Sequence, residues 1–160
     1  ELLGHAVRSM DPTAPDRDRS YKFLLRNRHR DPALFGELLG KTYYNIAEGL
    51  LEEGDLRQAA LGYRRSLEFL PDRKHVLEGL AEALWGLGER QGATAALLRL
   101  AELPPENADA FYNAALAFNL QGQHSQAVEF CRRTLAIEER TDARQLLEES
   151  IGEITEPKNP

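Results

Sequence analysis

Residues 43–71 read YYNIAEGLLEEGDLRQAALGYRRSLEFLP and contain one complete cycle of a pattern that recurs along the chain. Apolar side chains at spacings of three and four lead to Gly54, and a second amphipathic run then ends at Pro71. Such spacing places the apolar side chains on one face of a helix. Glycine tolerates the left-handed conformation that ends a helix, and proline cannot continue one. The stretch therefore predicts two helices joined by a tight turn.

The pattern recurs with a period of 34 residues. Five columns of equivalent positions keep this interval, which a coincidence in one column would not explain. A fixed period of this length is typical of stacked helical repeats that bury a continuous core. The columns are Gly54, Gly88 and Gly122; Ala59, Ala93 and Ala127; Tyr43, Leu77 and Phe111; Leu50, Leu84 and Phe118; and Pro71 with Pro105.

These residues resemble the tetratricopeptide repeat (TPR), a 34-residue helix–turn–helix with preferred residue types at eight positions. Repeat one, residues 40–73, fits all eight positions. Repeat two, residues 74–107, departs at Leu100, where the family has a small residue, and repeat three, residues 108–141, has Glu139 in place of the proline. The resemblance implies an all-α, TPR-type α-solenoid, a right-handed superhelix of antiparallel helix pairs.

The flanking sequence extends this organisation. We expect a single TPR domain over residues 32–154, closed by a polar-backed capping helix at about residues 142–154. Residues 1–31 are predicted to be an N-terminal arm, extended over its first part, with a possible degenerate basic helix at residues 20–30. The tail at residues 155–160 should fray.

Asp31 and Pro32 predict the start of a long helix that runs to about Glu53, because aspartate caps a helix N-terminus and proline suits its first position. Three glycines within this run argue against a helix, because each destabilises a helix by about 1 kcal/mol relative to alanine. They are Gly36, Gly40 and Gly49.

Charge is unevenly distributed along the chain. The net charge is −6, with +1 on residues 1–39 and −7 on residues 40–160. Because phosphate binding needs clustered cations, the negative charge of residues 40–160 disfavours nucleic-acid binding by this part of the chain. The basic run at residues 17–30 is interpreted as a solvated helix face. The alternatives are contact with an acidic groove of the same or a neighbouring chain, or with an anionic partner such as a nucleic acid.

The sequence bears on the location of the protein through its apolar content and its cysteine usage. No stretch approaches the roughly 18 uninterrupted apolar residues of a membrane-spanning helix, so no membrane span is expected in this chain. The single cysteine, Cys131, precludes an intrachain disulfide and suits the cytoplasm, while the periplasm stays open. The chain begins at Glu1 rather than Met, from which we expect a processed or trimmed product whose leader would be invisible.

The sequence contains no constellation of catalytic residues, and it predicts no enzyme activity, no cofactor and no metal site. The histidines show no metal-ligand spacing and are interpreted as solvated surface residues. Cys131 lies in an interior column of the repeat and is interpreted as a buried, inert thiol. The glycines on either side of Leu87 are interpreted as turn residues. The histidines are His5, His29, His75 and His124.

The TPR resemblance also implies a binding surface, because first helices of TPR units line a shared inner groove. Tyrosine and tryptophan at such positions dominate binding hot spots, and surrounding acids favour a cationic or amphipathic segment. The alternative is that these rings pack against neighbouring helices. The predicted peptide-binding residues are Tyr44, Glu48, Glu78, Glu82, Trp85, Tyr112, Asn113 and Asn119.

Two functions follow as hypotheses. The first is a protein-interaction adaptor that binds a protein or peptide in the groove, and the second is a self-assembling scaffold, a homo-oligomer joined through the N-terminal segment. Binding of the acidic tail of a heat-shock chaperone is disfavoured, because the basic clamp of such TPR proteins is absent. Its positions hold Tyr44, Glu48, Gly79, Asp109 and Asn113.

Overall fold

The computed structural model describes Pro15, residues 17–27, His29 and residues 31–155. Within these residues the chain is all-α, with eight helices and no strand. In that part of the chain no helix combines the length and the apolar character needed to cross a membrane. The helices are α1 (Arg17–Asn27), α2 (Pro32–Glu52), α3 (Leu56–Phe69), α4 (Lys74–Gly86), α5 (Arg90–Glu102), α6 (Ala108–Leu120), α7 (His124–Ile137) and α8 (Thr141–Thr155).

The chain forms two compact units, Glu1–Leu87 (unit 1) and Gly88–Pro160 (unit 2). In unit 1, α3 packs on both α2 and α4, and α1 packs on α2. In unit 2, α6 packs on α5 and α7, and α8 packs on α7. The single domain predicted at residues 32–154 stays a prediction.

The long helix predicted from Asp31 and Pro32 is confirmed as α2, and the Asp31 carboxylate accepts a hydrogen bond from the Leu34 amide at 3.1 Å. The structure also explains Gly40 within it. A Cβ at Gly40 would lie 2.6 Å from Leu70 Cδ1, and the Ser66 hydroxyl donates to the Gly40 carbonyl at 2.8 Å. The glycine is required there because the end of α3 crosses α2 at this point.

The predicted turn glycines adopt the left-handed conformation, with φ of 81° at Gly54, 77° at Gly88 and 70° at Gly122. Among the described residues no other type has a positive φ. Asp55, which follows Gly54, caps α3 by accepting a hydrogen bond from the Gln58 amide at 3.2 Å. The period of 34 residues in the sequence therefore corresponds to a repeated helix–turn–helix in the structure.

The N-terminal helix differs from the prediction. Helix α1 spans Arg17–Asn27 and so begins three residues before the helix predicted at residues 20–30. Asp18 in the first turn and Arg26 in the last turn both complement the helix dipole, which favours these bounds. Residues 1–14, 16, 28 and 30 of the predicted arm lie outside the described residues.

The other end of the chain follows the prediction more closely. Helix α8 includes Thr155, predicted as the start of the frayed tail, and residues 156–160 lie outside the described part. Its inner side buries Ala143 and Leu146. The predicted polar back is only partial, because Ile151 is 39% and Ile154 48% exposed.

Candidate functional site

Tyr63 connects the three repeat helices of unit 1. Its side chain comes from α3, is fully buried, and donates a hydrogen bond from its hydroxyl to the Glu48 carboxylate on α2. Room for the ring on α4 exists because residue 79 is glycine, where a Cβ would lie 2.6 Å from Tyr63 Cε1 and 2.7 Å from its hydroxyl oxygen. Burial, followed by the hydrogen bond to Glu48, raises the pKa of Tyr63. Glu48 is thus held in place by a buried donor.

Tyr44 lies beside this bond, on the same face of α2 as Glu48. Its half-buried ring meets the His75 ring edge-on, with centroids 4.6 Å apart, and is tilted against the Tyr63 ring at 6.2 Å. Burial, and then the charge of Glu48, raises the pKa of Tyr44. One part of the ring therefore packs within unit 1, and the rest reaches solvent.

Helix α4 contributes the remaining predicted residues of unit 1. Glu78, Glu82 and Trp85 follow one another at spacings of four and three, which places them on one face of the helix. Both glutamates are exposed and the Trp85 ring is half-buried. Within the described residues neither glutamate pairs with a basic side chain, and their charges add to the field at Tyr44 and Tyr63.

Five of the predicted peptide-binding residues thus lie in unit 1. We name this group the acidic aromatic surface. The structure brings Glu48 and Glu78 to Tyr44 and places Glu82 and Trp85 further along α4. The surface is formed by Tyr44, Glu48, Glu78, Glu82 and Trp85.

Tyr112, in unit 2, has a different environment. The guanidinium of Arg140 lies over its ring, 4.6 Å from the centroid. Arg140 also donates to Asp142 at 2.8 and 3.1 Å and forms an ion pair with Asp109. These bonds, with Asp142 first, raise the pKa of Arg140, and Arg140 holds the pKa of the Asp142 carboxyl below its usual range. One face of Tyr112 is therefore covered by a cation of the same chain.

The two predicted asparagines of unit 2 also differ from each other. The Asn119 side-chain oxygen accepts a hydrogen bond from the buried Ser150 hydroxyl at 3.1 Å and lies 2.8 Å from His124 Nδ1. This amide connects α6 to α8 and to the start of α7. Asn113 is exposed.

The environments of three other reactive residues match the sequence prediction. His29 and His75 are exposed, as predicted, whereas His124 is half-buried against Asn119, and His5 lies outside the described residues. Among the described residues no group of three or more histidine, cysteine, aspartate or glutamate side chains could hold a metal ion. The predicted burial of Cys131 is confirmed.

Cys131 should resist alkylation in the folded protein. Burial raises the pKa of its thiol to about 11, so the reactive thiolate is scarce and inaccessible at pH 8. We expect iodoacetamide to label Cys131 slowly in buffer and quickly in urea, with mass spectrometry as the readout. Equal labelling rates in the two solvents would contradict the buried position.

Sequence comparisons give one distant relative. No protein-family model matches the chain. The CTR9 homolog of Arabidopsis thaliana is 23% identical over 123 residues, which cover 74% of this chain and 11% of that protein. The chain thus spans about a tenth of that relative's length.

Solved structures are similar at low sequence identity. A MamA structure has a TM-score of 0.68 at 13% identity and covers 96% of this chain and 82% of its own. YrrB, described as a TPR protein with an unusual peptide-binding site, has a TM-score of 0.61 at 17% identity and covers 82% of this chain and 66% of its own. Together with the 34-residue period and the turn glycines, these similarities show that the chain has the tetratricopeptide-repeat fold, an all-α solenoid built from antiparallel helix pairs.

Proposed function

We propose that this chain is a protein-interaction adaptor, with no catalytic role, that binds its partner through the acidic aromatic surface of unit 1. The observation that supports this most directly is the Tyr63–Glu48 hydrogen bond, which fixes a carboxylate beside the half-exposed ring of Tyr44. A preorganised carboxylate next to an aromatic ring favours a positively charged group, because both attract it.

The partner segment is proposed to be cationic and amphipathic. Glu78 and Glu82 supply two exposed carboxylates without basic partners among the described residues, and Tyr44 and Trp85 supply apolar area. A helix with lysine or arginine beside apolar side chains would satisfy both. The YrrB structure, whose fold this chain shares, is described as containing a peptide-binding site, which makes peptide recognition a reasonable function for the same fold.

Unit 2 is proposed to contribute less than the sequence predicts. Arg140 already covers a face of Tyr112, and Asn119 is hydrogen-bonded within the unit. A partner cation would have to compete with an intramolecular one at Tyr112, which acts at a high effective concentration. Asn113 stays a candidate contact because it is exposed.

The proposal is tested with a synthetic amphipathic peptide of leucine and lysine and with the variant Glu78→Lys/Glu82→Lys. Reversing two charges at the surface should weaken binding at least about tenfold, equivalent to roughly 1.4 kcal/mol, in fluorescence anisotropy titrations. The matched control is Glu148→Lys/Glu149→Lys, which changes the net charge equally on exposed positions of α8. Equal losses in both variants would show attraction by net charge alone, and the proposed surface would be rejected.

A further inference from the structure

The outward side of α3 is a cationic stripe with an apolar centre. Its inward side buries Ala59, Ala60, Gly62, Tyr63 and Ser66. On the opposite side Arg57, Leu61 and Arg64 lie at spacings of four and three, and all are exposed, Leu61 by 49%. An exposed leucine between arginines gives this side an apolar centre and a charged rim, which is the arrangement of a protein interface.

Within unit 1 the two signs of charge are segregated between helices. Helices α2 and α4 together carry five glutamates and two lysines, whereas α3 carries three arginines and one glutamate. The glutamate of α3, Glu68, pairs with its own Arg65 at 2.9 Å. Three arginines against one glutamate give α3 a net positive charge, whereas the acidic aromatic surface on α2 and α4 carries glutamates.

We propose that the outward side of α3 docks on the acidic aromatic surface of a second copy of this chain. The inference rests on the proposed function, because it names the cationic amphipathic helix that this surface binds. Arg57 and Arg64 would meet the carboxylates of the other copy, and Leu61 would meet its aromatic rings. Charge and apolar character are thus complementary between two surfaces of the same molecule.

Helix α1 is a less suitable donor for self-association than α3. The sequence favours the N-terminal segment for that role, but α1 places its apolar side chains on α2. Leu24 is fully buried, and Tyr21 and Leu25 pack against the same cluster. On α3, in contrast, Leu61 is 49% exposed.

A contact of this kind joins different surfaces of the two copies, so it is heterologous and extends into longer assemblies unless it closes. Because exposed charges contribute to it, association should increase with protein concentration and decrease with added salt.

The experiment reverses each surface separately and then mixes the products. One variant carries Arg57→Glu/Arg64→Glu, and the other carries Glu78→Arg/Glu82→Arg. Each variant alone presents like charges on both surfaces and should sediment as a monomer at low salt, whereas the wild type associates. An equimolar mixture should recover association, because each reversed surface then meets its complement.

Three results would overturn this inference: a wild type that stays monomeric at every concentration, variants that associate like the wild type, or a mixture that stays monomeric. Binding of the leucine–lysine peptide distinguishes a failure of self-association from a failure of the proposed function. The variant Arg57→Glu/Arg64→Glu keeps the acidic aromatic surface and should bind the peptide at least as tightly as the wild type. Circular dichroism checks that both variants are folded.

Discussion

Replacing Tyr63 with alanine is expected to lower the free energy of unfolding by about 3–5 kcal/mol. The ring is fully buried, contacts the backbone of α4 at Gly79, and carries the hydroxyl that bonds Glu48 on α2. Its removal leaves a cavity where three helices meet, and the surrounding backbone can collapse only partly into it. Urea unfolding followed by circular dichroism measures the loss as a lower midpoint with a similar slope.

The conservative variant Tyr63→Phe separates the ring from the hydroxyl. It keeps the packing and removes one hydrogen bond to a charged group, for which we expect a cost of about 1.5–3 kcal/mol. If Tyr63→Phe cost as much as Tyr63→Ala, the hydrogen bond rather than the packing would dominate.

Alkaline pH gives a second readout for Tyr63. The pKa of Tyr63 is raised in the folded protein, so above about pH 10 the unfolded chain loses this proton while the folded chain keeps it. The stability that this proton provides is therefore present at neutral pH and is lost as pH rises. The wild type should lose more stability in this range than Tyr63→Phe, and parallel pH profiles would contradict the assignment.

The fold could be predicted from the sequence because each repeat uses the same residue types to form the same helix–turn–helix. Gly54, Gly88 and Gly122 stand at equivalent positions and all adopt positive φ. A helix that lacks a well-matched repeat partner was predicted less accurately. Helix α1 begins at Arg17, before the residue 20 that the sequence indicates, and α8 exposes Ile154 on the side predicted to be polar.

The site could be predicted only as far as single helices determine it. The spacing of Glu78, Glu82 and Trp85 on α4 is visible in the sequence, since it follows from the period of one helix. The bond from Tyr63 to Glu48 joins residues 15 apart, and Tyr63 reads as an ordinary core position. The position of Arg140 over Tyr112 could not be predicted either, because the arginine lies in the connection between α7 and α8 and no sequence pattern relates it to that ring.

Alanine at Gly79 is expected to destabilise the protein by about 1–3 kcal/mol, although alanine is the better helix former. The added Cβ would fall within 2.7 Å of the Tyr63 hydroxyl and even closer to its ring carbons. The ring is buried and cannot move away without displacing α3 or α4. Gly49→Ala is the matched control, because a Cβ there meets nothing within 4 Å. This second change should stabilise α2 by about 0.5–1 kcal/mol, so the two substitutions should shift the urea midpoint in opposite directions.

A double-mutant cycle identifies the cause of the loss at Gly79. If the Tyr63 ring is the obstacle, Gly79→Ala should cost almost nothing in a Tyr63→Ala background, because the added methyl enters the space that the ring vacated. The helix propensity of alanine would then be all that remains, and it is favourable. An unchanged cost in that background would place the constraint in the backbone of α4 instead, and the close approach of α3 to Gly79 would no longer explain why this position needs glycine.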